Sequence, residues 1–284
     1  MAAALGRAGS GALAARLADG RLHLQHGPID IIAQAFGPRA AVEAAHARAA
    51  ARFATVLGEL VAELPALRAE AAPVTGRIAR AMAAAVAPHR PDFITPMAAV
   101  AGAVADEICA ALQGPGVARA YANNGGDIAL ALAPGQALSC ALAAAGGQAR
   151  ATIRAEDPVR GIATSGWRGR SFSLGIVDAV TVLARDAATA DAAATMIANA
   201  VDLAGHPGIR RRPANELQAD SDLGARRVTV AVPVLTAAER RAALAAGLAR
   251  ANALRAAGVI EAAAFFLQGE TAMTGHLSLS GERE

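Results

Sequence analysis

Residues 117 to 154 limit the fold most narrowly. The chain there breaks into short runs, Val117 to Ala122, Asp127 to Leu132, Ala137 to Ala143 and Ala149 to Arg154, each bounded by Gly, Pro or Asn. Apolar runs this short, with turn residues at both ends, read as β-strands. Together they predict a meandering antiparallel sheet. Further strand signals lie at Arg21 to His26, after the hairpin signal Asp19-Gly20, and at Ile31 to Ala35, Gly161 to Ser165, Ile176 to Ala184, Arg227 to Leu235 and Val259 to Gln268. Helical periodicity covers Pro38 to Leu64, Thr75 to Val86, Thr95 to Leu112 and about Thr189 to Leu203, and the capping box Thr236 to Glu239 opens a helix that stops before Gly258. Gly205 to Ala225 reads as a polar loop, and a polar tail follows Gln268. Hairpins alternating with helix groups, without a regular strand-helix-strand rhythm, predict the α+β class, antiparallel sheets packed with helices. The 284 residues suit one domain, 1–284, or two intertwined subdomains of about 17–116 and 117–270.

Composition excludes several functions. There is no lysine, so no lysine nucleophile, Schiff base or P-loop lysine is available, and every fixed cationic side chain is an arginine. A net charge of +3 with 3% aromatic residues lacks the basic, stacking surface of a nucleic-acid binder. The longest uncharged apolar stretch, Ile128 to Gln148, is broken by Pro134-Gly135 and Gly146-Gly147 into two strands joined by a turn, which argues against a membrane span. Arg7, Gly6 and Gly9 interrupt any signal-like core in Met1 to Arg16, so a cytoplasmic location is expected. Cys109 and Cys140 read as buried free thiols. His23, His26, His46, His89, His206 and His276 lack metal-binding spacing apart from the first pair, so structural or solvated roles are expected of them. Arg210-Arg211-Arg212 reads as a solvated charge run.

Three segments carry oxygen, nitrogen or charge in patterns suited to ligand binding. Asn123-Asn124-Gly125-Gly126-Asp127-Ile128 lies between two strands. By local pattern it is an Asn-Gly type hairpin turn, while the paired glycines would also let a ligand approach the backbone beside Asp127. Gly161-Ile-Ala-Thr164-Ser165-Gly166-Trp167-Arg168-Gly-Arg170-Ser171 runs from a strand into a loop with hydroxyls, backbone donors and two arginines suited to a phosphate. Trp167 could stack on a planar ring or lie half-buried. Asp191, Thr195 and Asn199 recur every four residues along one helix face. Asp191 also suits the helix dipole, and with Thr195 it would make part of an Mg²⁺ shell, assisted by Asp178.

Taken in order, these segments resemble the ApbE-like superfamily. Asn124-Gly125-Gly126-Asp127 is similar to its glycine-glycine-aspartate turn, and Ala163-Thr164-Ser165-Gly166 to its alanine-threonine-serine-glycine loop. Val180-Thr181-Val182-Leu183-Ala184 with Asp191 and Thr195 is similar to the strand and helix that carry the metal-binding aspartate and threonine. Thr95 to Asp106 resembles the family helix with glycine and aspartate four apart, here Gly102 and Asp106. Two departures stand out. Ala101 occupies the place of the lysine before that glycine, and Ser173-Leu-Gly-Ile-Val-Asp178-Ala replaces a His-Ile-Ile-Asp-Pro segment. With Gly27-Pro28-Ile29-Asp30, these departures resemble the uncharacterised protein family 0280 within the superfamily, over about His23 to Asp202.

The resemblance implies a T-fold/ApbE-like architecture and an Mg²⁺-dependent transferase acting on FAD or a related pyrophosphate. The alternative it leaves open is a flavin or nucleotide binding protein that has lost the chemistry. It implies Asp191 and Thr195 as metal ligands, and Asn124, Gly125, Gly126, Asp127, Thr164, Ser165, Gly166, Arg168 and Arg170 as binding residues. A small-molecule nucleotide or flavin is the expected partner, with no nucleic acid or membrane, and a homo-oligomer is compatible with it.

Overall fold

The computed structural model describes residues 3–7, 11–141, 150–275 and 279–280. The Gly146-Gly147 turn and His276 lie outside them.

The first half opens with an antiparallel meander of β1 (Ala3–Arg7), β2 (Leu13–Arg16), β3 (Leu22–His26) and β4 (Ile29–Phe36). Gly20, at φ +86°, turns β2 into β3 at the expected Asp-Gly signal. Helices α1 (Arg39–Ala62), α2 (Leu64–Leu67), α3 (Arg77–Val86) and α4 (Val100–Leu112) follow. Then come β5 (Arg119–Asn124) and β6 (Asp127–Leu132), with β5 paired to β4. After β7 (Ala137–Ala141) and β8 (Arg150–Arg154), the second half runs through β9 (Gly161–Ser165), β10 (Ala179–Ala184) and α5 (Ala187–Ala200). It continues with β11 (Arg210–Pro213), α6 (Ala214–Leu217), β12 (Arg227–Ala231) and α7 (Ala237–Ala256). The last described elements are β13 (Ala262–Leu267), β14 (Glu270–Thr274) and β15 (Leu279–Ser280).

Ten strands form one antiparallel sheet in the order β1-β2-β3-β4-β5-β6-β9-β10-β13-β14. α4 packs on β5 and β6, α5 on β9 and β10, and α7 on β13 and β14, all burying an alanine-rich layer. The order strand pair, helices, strand pair occurs twice along this sheet, and the two runs meet where β6 pairs with β9. This is an α+β architecture, as the strand and helix signals predict.

The expected single meander over 117–154 is corrected. β5 and β6 join the large sheet, whereas β7, β8 and β15 form a separate three-stranded sheet. The far side of β6 is already taken by β9, so β7 cannot pair there. Its sheet instead contributes Ala151 and Ile153 to a small core with Leu130, Ile162 and Leu183. The loop expected over 205–225 contains β11 and α6, and β11 pairs with β12. The tail expected after Gln268 contains β14, paired to β13. Both strands are polar because one face meets solvent, which hides them from an apolar-run criterion. No helix among the described residues is long and apolar enough to cross a membrane.

Candidate functional site

The site is built where α4 meets α5. Close approach depends on Gly102, where a Cβ would lie 2.1 Å from the Ala187 carbonyl oxygen. The two helices then cap each other. Asp106 of α4 accepts the Ala187 and Ala188 N–H groups at 3.0 and 2.9 Å, and Asp191 of α5 accepts the Gly102 N–H at 3.0 Å. Asp186 completes the start of α5 by accepting the Thr189 N–H at 2.7 Å. Each carboxylate therefore meets otherwise orphaned donors and the positive end of a helix dipole.

Asp191 lies on the wall of a cleft of about 400 Å³ that also takes in Asp127, Thr195, Ala101, Thr164 and Arg170. The 124–127 segment is a two-residue hairpin turn, with Asn124 paired to Asp127 across Gly125 (φ +67°) and Gly126 (φ +118°). It also faces the cleft, so the hairpin and ligand-approach readings are compatible. A Cβ at Gly125 would lie 2.3 Å from Arg170 Nη2, whereas at Gly126 it would meet open space. Thus Gly125 seats the guanidinium, and Gly126 leaves its backbone approachable. Asn124 is buried and donates through Nδ2 to the Ala101 carbonyl at 3.1 Å, tying the turn to α4. Asp127 accepts the Thr164 N–H at 3.3 Å, and the Thr164 and Thr181 hydroxyls lie 2.8 Å apart.

The cleft continues past Arg170 into a second lobe of about 300 Å³. That lobe shares Ala101, Asp127, Arg170, Ser171, Asp191 and Thr195 with the first. Its other walls include Met97, from the Thr95 to Asp106 segment, and Arg68, Phe172 and the loop 218–223, which sequence did not single out. The pair Asp220 and Asp222 was the available signal, but in a polar loop it is indistinguishable from a solvated turn.

Of the expected site residues, the structure gathers Asn124, Gly125, Gly126, Asp127, Thr164, Ser165, Gly166, Arg170, Asp191 and Thr195 around the cleft. Gly166 is also needed for packing, since a Cβ there would lie 2.3 Å from the Asp178 carbonyl oxygen. Arg168 points elsewhere, with Nε 2.6 Å from Asp178 Oδ1 and its guanidinium 4.7 Å from the Trp167 ring centroid. Asp178 also accepts Trp167 Nε1 and the Gln268 N–H, so this trio fastens the loop to β13. Asn199 accepts the Leu174 N–H at 2.9 Å and likewise stands apart from the cleft.

Burial pushes the Asp127 carboxyl up to about 7, against the opposing hydrogen bond from Thr164 and the charge of Arg170. Burial and the neighbouring Asp127 raise Asp191 well above the carboxylate range. Two carboxylates in one cleft thus face each other's charge, and neither has an ion-pair partner within 4.0 Å among the described residues. Among those residues no three His, Cys, Asp or Glu side chains form a metal-holding group.

The family model described as "AbpE bacteria" matches residues 14–273. A UPF0280 protein of Methanospirillum hungatei is 39% identical over 114 residues, 39% of this chain and 47% of the relative. UPF0280 proteins of Methanothrix thermoacetophila and Methanothermobacter thermautotrophicus are 38% and 39% identical over 112 and 114 residues, 38% of this chain in each case and 46% and 43% of the relatives. The matches thus span less than half the length of these relatives. Because the family model covers nearly all of the described fold, the chain belongs to this ApbE-like family, with UPF0280 proteins among its relatives.

Proposed function

We propose that the cleft binds a nucleotide pyrophosphate, FAD or a related molecule, together with Mg²⁺, and transfers a nucleotide from it. The observation that carries this is the pair Asp127 and Asp191, set deep beside Thr195 in a cleft that also presents Arg170 and an open glycine backbone. Two carboxylates without ion-pair partners attract a hard cation, and Mg²⁺ retains water and phosphate oxygens, so three protein side-chain ligands are sufficient. Asp191 and Thr195 would hold the ion, with Asp127 opposite them. Once bound, it would neutralise pyrophosphate charge and polarise the phosphorus–oxygen bond. Arg170 would bind the phosphate oxygens from the Gly125 side, and Thr164 and Ser165 would donate hydroxyls to the same group. Asp127, with Oδ1 held by the Thr164 N–H, would keep Oδ2 for the ion.

A second function is favoured by the lining itself. Ala101 stands where the family lysine would, and neither lobe contains a histidine or lysine. That composition suits a protein that binds the nucleotide and keeps it intact. Incubation with FAD, Mg²⁺ and candidate hydroxyl-bearing acceptors, to which the FMN part would be joined as AMP leaves, followed by chromatography for AMP, separates the two. AMP release that Asp191→Asn abolishes supports transfer, whereas Mg²⁺-dependent affinity for FAD by calorimetry without AMP supports binding alone. Absence of Mg²⁺-dependent affinity for FAD, ADP and pyrophosphate alike overturns both.

A further inference from the structure

Resting on that nucleotide-binding proposal, we infer that the second lobe receives the neutral, hydroxyl-bearing end of the ligand, with Asp222 as its hydrogen-bond acceptor. The charges of the two lobes differ. Arg170, Asp127 and Asp191 line both lobes; the first adds the open backbone at Gly126, whereas the second adds Asp222 and the pair Arg68 and Asp220, whose charges meet each other. A phosphate placed beside Asp222 would be repelled, while a sugar hydroxyl would form a charge-assisted hydrogen bond.

Asp220 is already engaged, 2.6 Å from Arg68 Nη2 and 3.2 Å from Gln218 Nε2. Asp222 is engaged on one side only: the Thr95 hydroxyl donates to Oδ2, and Oδ1 has no partner among the described residues. The loop is held in place by Ser221 N–H to the Gln218 carbonyl at 3.0 Å and Gly224 N–H to the Ser221 carbonyl at 3.1 Å. Asp222 therefore lines the lobe from a hydrogen-bonded turn with one carboxylate oxygen left unpaired among the described residues. Met97, Phe172 and Leu223 give the same lobe an apolar wall for the flat part of a nucleoside. The ligand would lie with phosphates toward Gly126 and Arg170 and its sugar toward residues 218–223.

Calorimetry with Mg²⁺ and three probes, ADP, 2′,3′-dideoxy-ADP and pyrophosphate, tests this orientation. In the unmodified protein, ADP should bind about tenfold more tightly than its dideoxy analogue, the loss expected for a hydrogen bond to a charged acceptor. Asp222→Asn should remove most of that preference and leave pyrophosphate affinity within about twofold. Equal binding of ADP and the dideoxy analogue by the unmodified protein would overturn the inference without any variant. So would an Asp222→Asn variant that weakens pyrophosphate as much as ADP. In both cases pyrophosphate still binds the unmodified protein and the broader proposal stands. If none of the probes binds, this inference fails, and the broader proposal fails with it when FAD does not bind either.

Discussion

Exchange of glycine for alanine should have opposite signs at two helical positions, Gly102 in α4 and Gly58 in α1. At Gly102 the new Cβ would lie 2.1 Å from the Ala187 oxygen, 2.4 Å from its carbon and 2.8 Å from the Ala188 nitrogen. All three are backbone atoms, so no side-chain rotation relieves the clash, and the helices must part by more than about 1 Å to reach ordinary contact. Parting lengthens the Gly102–Asp191 bond and the two bonds from Asp106 to the start of α5. Overpacking costs about 1–3 kcal/mol and each weakened cap about 1 kcal/mol, so about 3 kcal/mol remains after alanine's better helix propensity is subtracted. Gly58 has nothing within 4 Å of its added Cβ, and φ there is not positive. Alanine at that position should stabilise by about 0.5–1 kcal/mol. Urea unfolding followed by circular dichroism would measure both variants against the parent. A Gly102→Ala change below about 1 kcal/mol, or the same sign at both sites, would refute the close-approach reasoning.

Two pH dependences follow from buried groups. His89 is buried, and neither ring nitrogen has a hydrogen-bond partner among the described residues; burial, helped by Arg250, lowers its pKa from 6.5 to about 4. Its contribution to stability is complete above about 6.5 and is lost as pH falls through 4, by up to about 3 kcal/mol, and His89→Phe should flatten urea-derived stability over that window. Asp127 acts with the opposite sign, because its folded pKa, about 7, lies above the ordinary 3.8, so stability is complete below about 3.8 and is lost as pH rises through 7. Without divalent cations, Asp127→Asn should exceed the parent in stability by about 2–4 kcal/mol at high pH and match it in acid, and a constant difference across pH would count against this assignment.

What was legible in sequence follows the range of the forces involved. The Asp19-Gly20 turn and the Thr236 to Glu239 capping box are local, and both stand as read. The strand Gly161 to Ser165 also keeps its predicted bounds, because glycine and polar residues punctuate it. The expected third helix from Thr95 divides into a 3₁₀ turn, Pro96–Ala99, and α4, a difference that periodicity does not resolve. Which strands share a sheet depends on pairing across β6 and β9, far apart in sequence, and no local pattern encodes it. The same limit applies to the site. Asp127 and Asp191 could be singled out one at a time, but Asp106 as a cap of α5 and residues 218–223 as a cleft wall exist only once helices and loops are packed.

Comparison among the buried and half-buried carboxylates shows which of them the fold itself requires. Glu107 is buried with Arg52 Nε at 2.7 Å and Arg77 Nε at 3.1 Å, so its charge is met within the protein. Asp106 accepts two backbone donors at a helix start, where a carboxylate is favoured. Asp191 has a comparable structural role through Gly102, in which an asparagine amide oxygen could also accept. Asp127 has no such role, because its single acceptance from the Thr164 N–H at 3.3 Å could be made equally by an asparagine. Yet burial opposes its ionisation more than the Arg170 charge favours it, and its own charge raises the neighbouring Asp191. A charge that the fold neither needs nor neutralises is accounted for by what enters the cleft, and a divalent cation offsets both carboxylates at once. Asp127, more than the helix-capping Asp191, is therefore the residue whose side chain argues for a ligand.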